Sequence, residues 1–280
     1  MKFILPMIFS WTAAVLSAAS THSTALGDTL EMLAGRGAKA HSPYVYNSLI
    51  PLQIWDQLNP YFLPEDHPIK ARLDRLFKKK RVIRSASSFM QAGFKISEKR
   101  RPNNAVIGKH PAFEGYIFKV FLDRQPDICE WSNWVNRIEG AKAIQACIER
   151  HGFENFCVPK KWIYPLPMYP SPPENDRIHR KNFILIAEEM DILPLRDNLK
   201  AFKEKMRAKI LRELMVILTE EGLIDSIYPD NIPFTRNGKL AFIDTEHRYP
   251  GRSVKFETLL PFLSDEMQNY WNMLINSSVK

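Results

Sequence analysis

Apolar and polar positions along this chain follow a helical period first and a strand period later. Residues 26–92 read as mainly helical. Asp28-Thr29-Leu30-Glu31 has the spacing of a capping box. Leu49–Tyr61 carries Ile54, Trp55, Leu58 and Tyr61 at helical spacing, with Pro51 at its start. Ile69, Leu73, Leu76 and Phe77 form the stripe of a further helix, opened near Pro68 and closed by Lys78–Arg81, where positive charge suits a helix C-terminus. That basic run reads as a solvated helix end, with contact to phosphate or an anionic surface as the alternative.

From residue 93 the period shortens. Gly93–Ile96, Ala105–Ile107 and Tyr116–Leu122 read as strands. In Tyr116–Leu122 a lysine, Lys119, interrupts an apolar run; burying it is costly without an anionic partner. Residues 130–151 return to helical spacing through Trp134, Ile138, Ala141, Ile144 and Ile148, with Glu139 in the middle. Cys157–Pro159 and Trp162–Tyr164 suggest the next strand. Tyr164–Asn175, with five prolines, reads as an extended surface loop. Phe183–Ile186 is a buried strand. Phe202–Glu220 is the longest helical pattern, with Met206, Ile210, Leu211, Leu214, Ile217 and Leu218 on one side, and Gly222 ends it.

The most informative stretch is Tyr228–His247. Ile232 and Phe234 precede Asn237-Gly238, and Leu240, Phe242 and Ile243 follow it. Asn-Gly between apolar runs is a strong hairpin signal because both residues tolerate positive φ. The hairpin holds Asn231 and Asp244 at its open end, where an amide oxygen and a carboxylate can share a divalent metal. Beyond it, Leu259, Leu260, Phe262, Trp271 and Leu274 predict the core of two short helices.

Composition narrows the ligand class. The chain has 280 residues, 45% of them hydrophobic, and a net charge of +8. This balance suits anionic ligands such as nucleotides, and equally a generally basic surface. Residues 1–19 read as a signal peptide, with Lys2, an apolar Phe3–Leu16 and small residues at Ser17-Ala18-Ala19, so the protein is expected to be exported. No other stretch is long enough to span a bilayer. Cys129, Cys147 and Cys157 cannot all pair, and none has C-x-x-C spacing.

At Pro229-Asp230-Asn231-Ile232 and Ile243-Asp244-Thr245-Glu246 the sequence resembles the protein-kinase-like fold. The first segment looks like the end of a catalytic loop, the second like the metal-binding Asp segment. Lys119 matches the phosphate-holding lysine of the third strand, and Glu139 the helix glutamate that orients it. Phe183–Met190 resembles the strand leading to the hinge between lobes. The resemblance implies an α+β, two-lobed fold: an N-lobe with a small antiparallel sheet over 93–190, and a reduced, mainly helical C-lobe over 191–280, after a helical extension over 26–92. It implies a nucleotide, ATP with Mg or Mn, held by Lys119 and Glu139, with Asn231 and Asp244 on the metal. The sequence departs from the family at Ser226, where a catalytic Asp is expected. Asp225, one residue away, is the candidate base. A G-x-G-x-x-G loop is lacking, and Thr245-Glu246 replaces Phe-Gly. Three readings follow: an atypical phosphotransferase, a pseudokinase acting as a binding module with a protein partner, or an unrelated exported α+β protein. Nothing in the sequence points to specific nucleic-acid binding.

Overall fold

The computed structural model describes residues 44–97, 104–126, 128–173, 177–224 and 226–278. The expected signal peptide, the Asp28–Glu31 pattern and Asp225 lie outside them. The first described part is helical, as its periodicity predicts: α1 (Leu52–Leu58), α2 (Lys70–Lys79) and α3 (Ala86–Gln91), with 3-10 turns at Asn59–Tyr61 and Val82–Arg84. Strands β1 (Lys95–Ile96), β2 (Val106–Lys109) and β3 (Tyr116–Val120) follow. Next come the long helix α4 (Glu130–His151), then β4 (Phe156–Cys157), β5 (Lys161–Pro165) and β6 (Phe183–Glu188). The rest is α5 (Leu195–Lys205), α6 (Ala208–Glu221), β7 (Leu240–Ala241), a 3-10 segment Phe256–Phe262, and α7 (Asp265–Ser278).

Five strands form an antiparallel sheet in the order β1-β2-β3-β6-β5. Together with the helices, this makes the chain an α+β protein. Side chains alternate between the two faces of a strand, so the register sorts them. Phe118, Val120, Tyr164, Ile184 and Ile186 pack into one cluster with Leu73, Phe77, Phe89 and Phe94 from the helical part. The opposite parity carries Lys119, which pairs with Leu185, and Lys161, which pairs with Ala187. Helix α4 is tied to this sheet where the Trp134 indole donates to the Phe183 carbonyl (3.3 Å). Its second half joins another core: Ile144, Cys147 and Ile148 pack among Leu211, Leu214, Leu218, Phe234, Phe242, Leu259 and Trp271.

Two expectations are corrected. The 202–220 pattern is two helices, and α4 is the longer one. At the break, Met206 is extended (ψ 138°), and the Arg207 guanidinium donates to the carbonyls of Glu204 and Met206 at 2.6 and 2.8 Å. Across the break, Phe202, Met206, Leu211 and Leu214 all belong to the same cluster. The basic run also divides: Lys78–Lys80 are exposed, but Arg81 turns inward onto Asp123, at 2.9 and 2.7 Å. The three cysteines are all thiols.

The hairpin forms, but its first arm is a single bridge and Asn237 does not take a positive φ. Phe234 bridges Leu240, and Gly238 takes φ +87° in the turn. Its approach is pinned from α5 by the buried Asn198, whose amide donates to the Pro229 carbonyl (2.7 Å) and whose oxygen accepts from the Phe234 N–H (2.8 Å).

Candidate functional site

β7 of the hairpin pairs in parallel with β4 in a separate two-stranded sheet, and the residues that follow it meet β3, β5 and α4. The Ile243 N–H donates to the Asn231 carbonyl (3.0 Å), so the two ends of the hairpin are in register beside Asp244. Lys119 reaches toward Asp244, Nζ to Oδ1 3.9 Å. Two expected site residues, distant in sequence, therefore lie side by side. The Lys119 side chain is only 8% exposed while that of Asp244 is 33% exposed, so the pair runs from the interior toward the surface.

Two residues that sequence reasoning did not assign, Arg137 and Lys161, complete the cluster. Arg137, from α4, spans both carboxylates of the next segment: Nη1 bonds Asp244 Oδ1 and Nη2 lies 2.6 Å from Glu246 Oε2. Lys161, from β5, donates to Thr245 Oγ1 (2.6 Å), and that hydroxyl donates to the Arg137 carbonyl (2.6 Å). The Glu246 carboxylate also lies 3.0 Å from His247 Nε2. The signal for Lys161 was strand parity: it shares a face with Ile163, which is fully buried.

Glu139 was expected to pair with Lys119. The structure gives it an ion pair with Lys142, one turn along α4, at 3.2 Å. The carboxylates beside Lys119 are instead Asp244, 3.9 Å away, and Glu246, whose charge favours the protonated lysine. Residues 137 and 139 differ by about 200° around a helix, so turning Arg137 inward directs Glu139 elsewhere. Ser226, in the expected base position, is buried, and its hydroxyl donates to the Asp244 carbonyl (2.9 Å). That bond fixes the backbone of the acidic segment.

With both lysines protonated, three basic groups would outnumber the two carboxylates. Burial pushes the Lys119 ammonium well below its usual pKa, and Arg137 pushes the same way; Glu246 opposes both. For Lys161, burial again leads, followed by Lys119 and Arg137, with Glu246 opposing. Burial alone would raise the Glu246 carboxyl, but its hydrogen bond to His247 and the charges of Arg137, His247 and Lys119 bring it below the carboxylate norm. Such a site attracts an anion, and an anion would in turn favour the charged lysines.

The lysines have a measurable consequence. A lysine depressed in the folded state loses its proton there first, so the unfolded state binds more protons over that interval, and stability rises with pH. Urea unfolding between neutral pH and about pH 10, below the unfolded lysine value, is expected to show this gain. Lys119→Met/Lys161→Met should flatten it. An equal slope in the double variant would mean that other groups set it.

A second group of potential metal ligands lies elsewhere. Cys147 and His151 on α4 and Glu220 on α6 have ligand atoms within 4.8 Å of one another. Glu220 already bonds Arg150 and, at 2.8 Å, His151. Burial, with Glu220 beside it, pushes the Cys147 thiol up to about 11. The thiol is thus held protonated, in a form poor for metal binding.

No helix among the described residues is long and apolar enough to cross a membrane. The chain matches no protein-family model and no curated protein. The architecture is α+β, with a buried cluster of charged side chains where sheet, helix and hairpin meet.

Proposed function

We propose that this chain is a kinase-like module that binds a nucleotide through its phosphates, and acts by binding rather than by phosphoryl transfer. The observation that carries the proposal is Lys119: a buried lysine on the middle strand of the sheet, 3.9 Å from Asp244 at the end of a hairpin. Kinase-like sites hold phosphates with a third-strand lysine and use an Asn and an Asp further along the chain. Lys119, α4, β5, β6, Asn231 and Asp244 occur here in that order. The sheet places β6 between β3 and β5, with a long helix inserted after β3, and this supports the reading. Export follows from the N-terminal apolar segment as part of the same proposal.

Binding is preferred to transfer because of Ser226 and Arg137. A transferase of this kind needs a base at the acceptor hydroxyl, and a serine hydroxyl is a poor one near neutral pH. Ser226 is in addition committed to the Asp244 carbonyl. The residues present also do not favour Mg or Mn at Asp244, because Arg137 bonds that carboxylate and Glu246 together. What this chain's residues do is neutralise and orient: Lys119 and Lys161 supply positive charge, and Arg137 holds the acidic segment in place.

The test is a thermal titration of the full chain with ATP, ADP and GTP. A ligand that binds the folded state alone stabilises it by about 2.7 kcal/mol at a hundredfold excess over Kd. For a domain of this size that is a Tm rise of about 5–10 °C. The rise is expected in the wild type and should be lost in Lys119→Ala. If no nucleotide shifts Tm, the reading fails.

A further inference from the structure

We infer that the Arg137 guanidinium takes the place of a divalent cation at this site, so that phosphate-bearing anions bind here without metal. The ligand class rests on the nucleotide reading above; the claim about the carboxylates does not.

The argument starts from the geometry of one side chain. Arg137 bonds Asp244 Oδ1 through Nη1 and lies 2.6 Å from Glu246 Oε2 through Nη2. A guanidinium is a planar fork that stays charged at any physiological pH. It therefore bridges the carboxylates on either side of Thr245 as a small cation would, and it cannot vacate the role by losing a proton. Lys119 stands 3.9 Å from the same Asp244 oxygen, so two cations already offset two carboxylates. Lys161, buried and hydrogen-bonded to Thr245, is the third basic group of the cluster.

The guanidinium is also built in. Thr245 Oγ1 donates to the Arg137 carbonyl (2.6 Å), and Gly140, one turn on, lets the Thr245 carbonyl approach α4 so closely that a Cβ there would lie 1.9 Å from its oxygen. The Arg137 side chain is only 10% exposed, and its Nε has no hydrogen-bond partner among the described residues. The fork consequently directs its terminal nitrogens at the two carboxylates, and the buried stem cannot swing out without breaking the seat of α4.

A magnesium or manganese ion would need several oxygens, in near-octahedral geometry for magnesium. Here it would have to take Asp244 and Glu246 from Arg137 and sit among three basic groups. The site favours an uncomplexed polyanion: free ATP or ADP, or inorganic pyrophosphate. Magnesium in solution then competes with the protein for the phosphates and weakens binding, the reverse of its effect at a metal-dependent site.

The experiment has two arms on the full-length chain. In the first, Mn2+ alone is titrated and followed by electron paramagnetic resonance. The wild type is expected to take up none at this site, whereas Arg137→Gln, which releases both carboxylates, should bind it in a manner abolished by adding Asp244→Asn. Mn2+ binding by the wild type that Asp244→Asn removes would overturn the inference. So would a folded Arg137→Gln that takes none. In the second arm, ATP, ADP and pyrophosphate are titrated calorimetrically in EDTA and again with excess magnesium. Binding in EDTA that magnesium weakens, and that falls about tenfold or more in Arg137→Lys through loss of a charge-assisted fork, supports it. Binding that requires magnesium overturns the inference yet upholds the nucleotide reading. Binding of none of these ligands under either condition overturns the nucleotide reading, and the Mn2+ arm then decides the role of Arg137. The wild-type titrations stand even if the Arg137 variants do not fold.

Discussion

Asp123→Ala is expected to lower the unfolding free energy by about 3–5 kcal/mol, the usual cost of removing one partner of a buried ion pair. Asp123 is fully buried at the end of β3 and receives two hydrogen bonds from Arg81, at 2.9 and 2.7 Å. It also accepts from the Lys181 N–H (3.0 Å), while Arg81 bonds the Lys181 carbonyl. One carboxylate thereby joins the segment after α2, the end of β3 and the approach to β6. Its removal leaves the Arg81 guanidinium, 8% exposed, without its counter-charge. Urea unfolding measures the loss as a lower midpoint at unchanged slope. The apolar pair Arg81→Met/Asp123→Leu should recover much of it, since the penalty comes from an unpaired buried charge. A loss below about 1 kcal/mol, the range of surface pairs, would show that Arg81 reaches water and that the junction is not held by charge.

Gly140→Ala is the second large effect. In most helices this exchange stabilises by about 1 kcal/mol. Here the added methyl would lie 1.9 Å from the Thr245 carbonyl oxygen and 3.0 Å from its carbon, which are backbone atoms that cannot rotate away. Either α4 or the acidic segment must move. Overpacking of this kind costs about 1–3 kcal/mol, occasionally more, and should outweigh the propensity gain. Function is expected to suffer more than stability. Arg137 reaches Asp244 and Glu246 from the same helix, less than one turn before Gly140, so the displacement separates the fork from its carboxylates. Anion binding should fall together with the urea midpoint. A Gly140→Ala protein as stable as wild type, with binding intact, would mean that α4 does not rest on Thr245.

Much of the framework was legible because it depends on neighbours in the chain. The bounds of α4, the hairpin at Asn237-Gly238, the two C-terminal helical segments and the anomaly of Lys119 all follow from periodicity and turn chemistry. Those are properties of a few consecutive residues. The break at Met206-Arg207 was not legible, since Phe202, Met206 and Ile210 continue a helical spacing across it. The extended conformation there is imposed by the core that both helices share.

The charged contacts divide in the same way. By itself the sequence determined that a lysine sits inside an apolar strand, and that an acidic segment follows a hairpin. It could not determine that Arg137, rather than Glu139, turns toward that segment, because α4 has apolar residues on several sides and its pattern designates no single face. Arg137 and Asp244 are 107 positions apart, and Arg81 and Asp123 are 42 apart. Local propensity carries no information over such distances. Which charges meet was decided by the packing of sheet, helix and hairpin, because a buried charge is stable only where the folded chain brings it a partner.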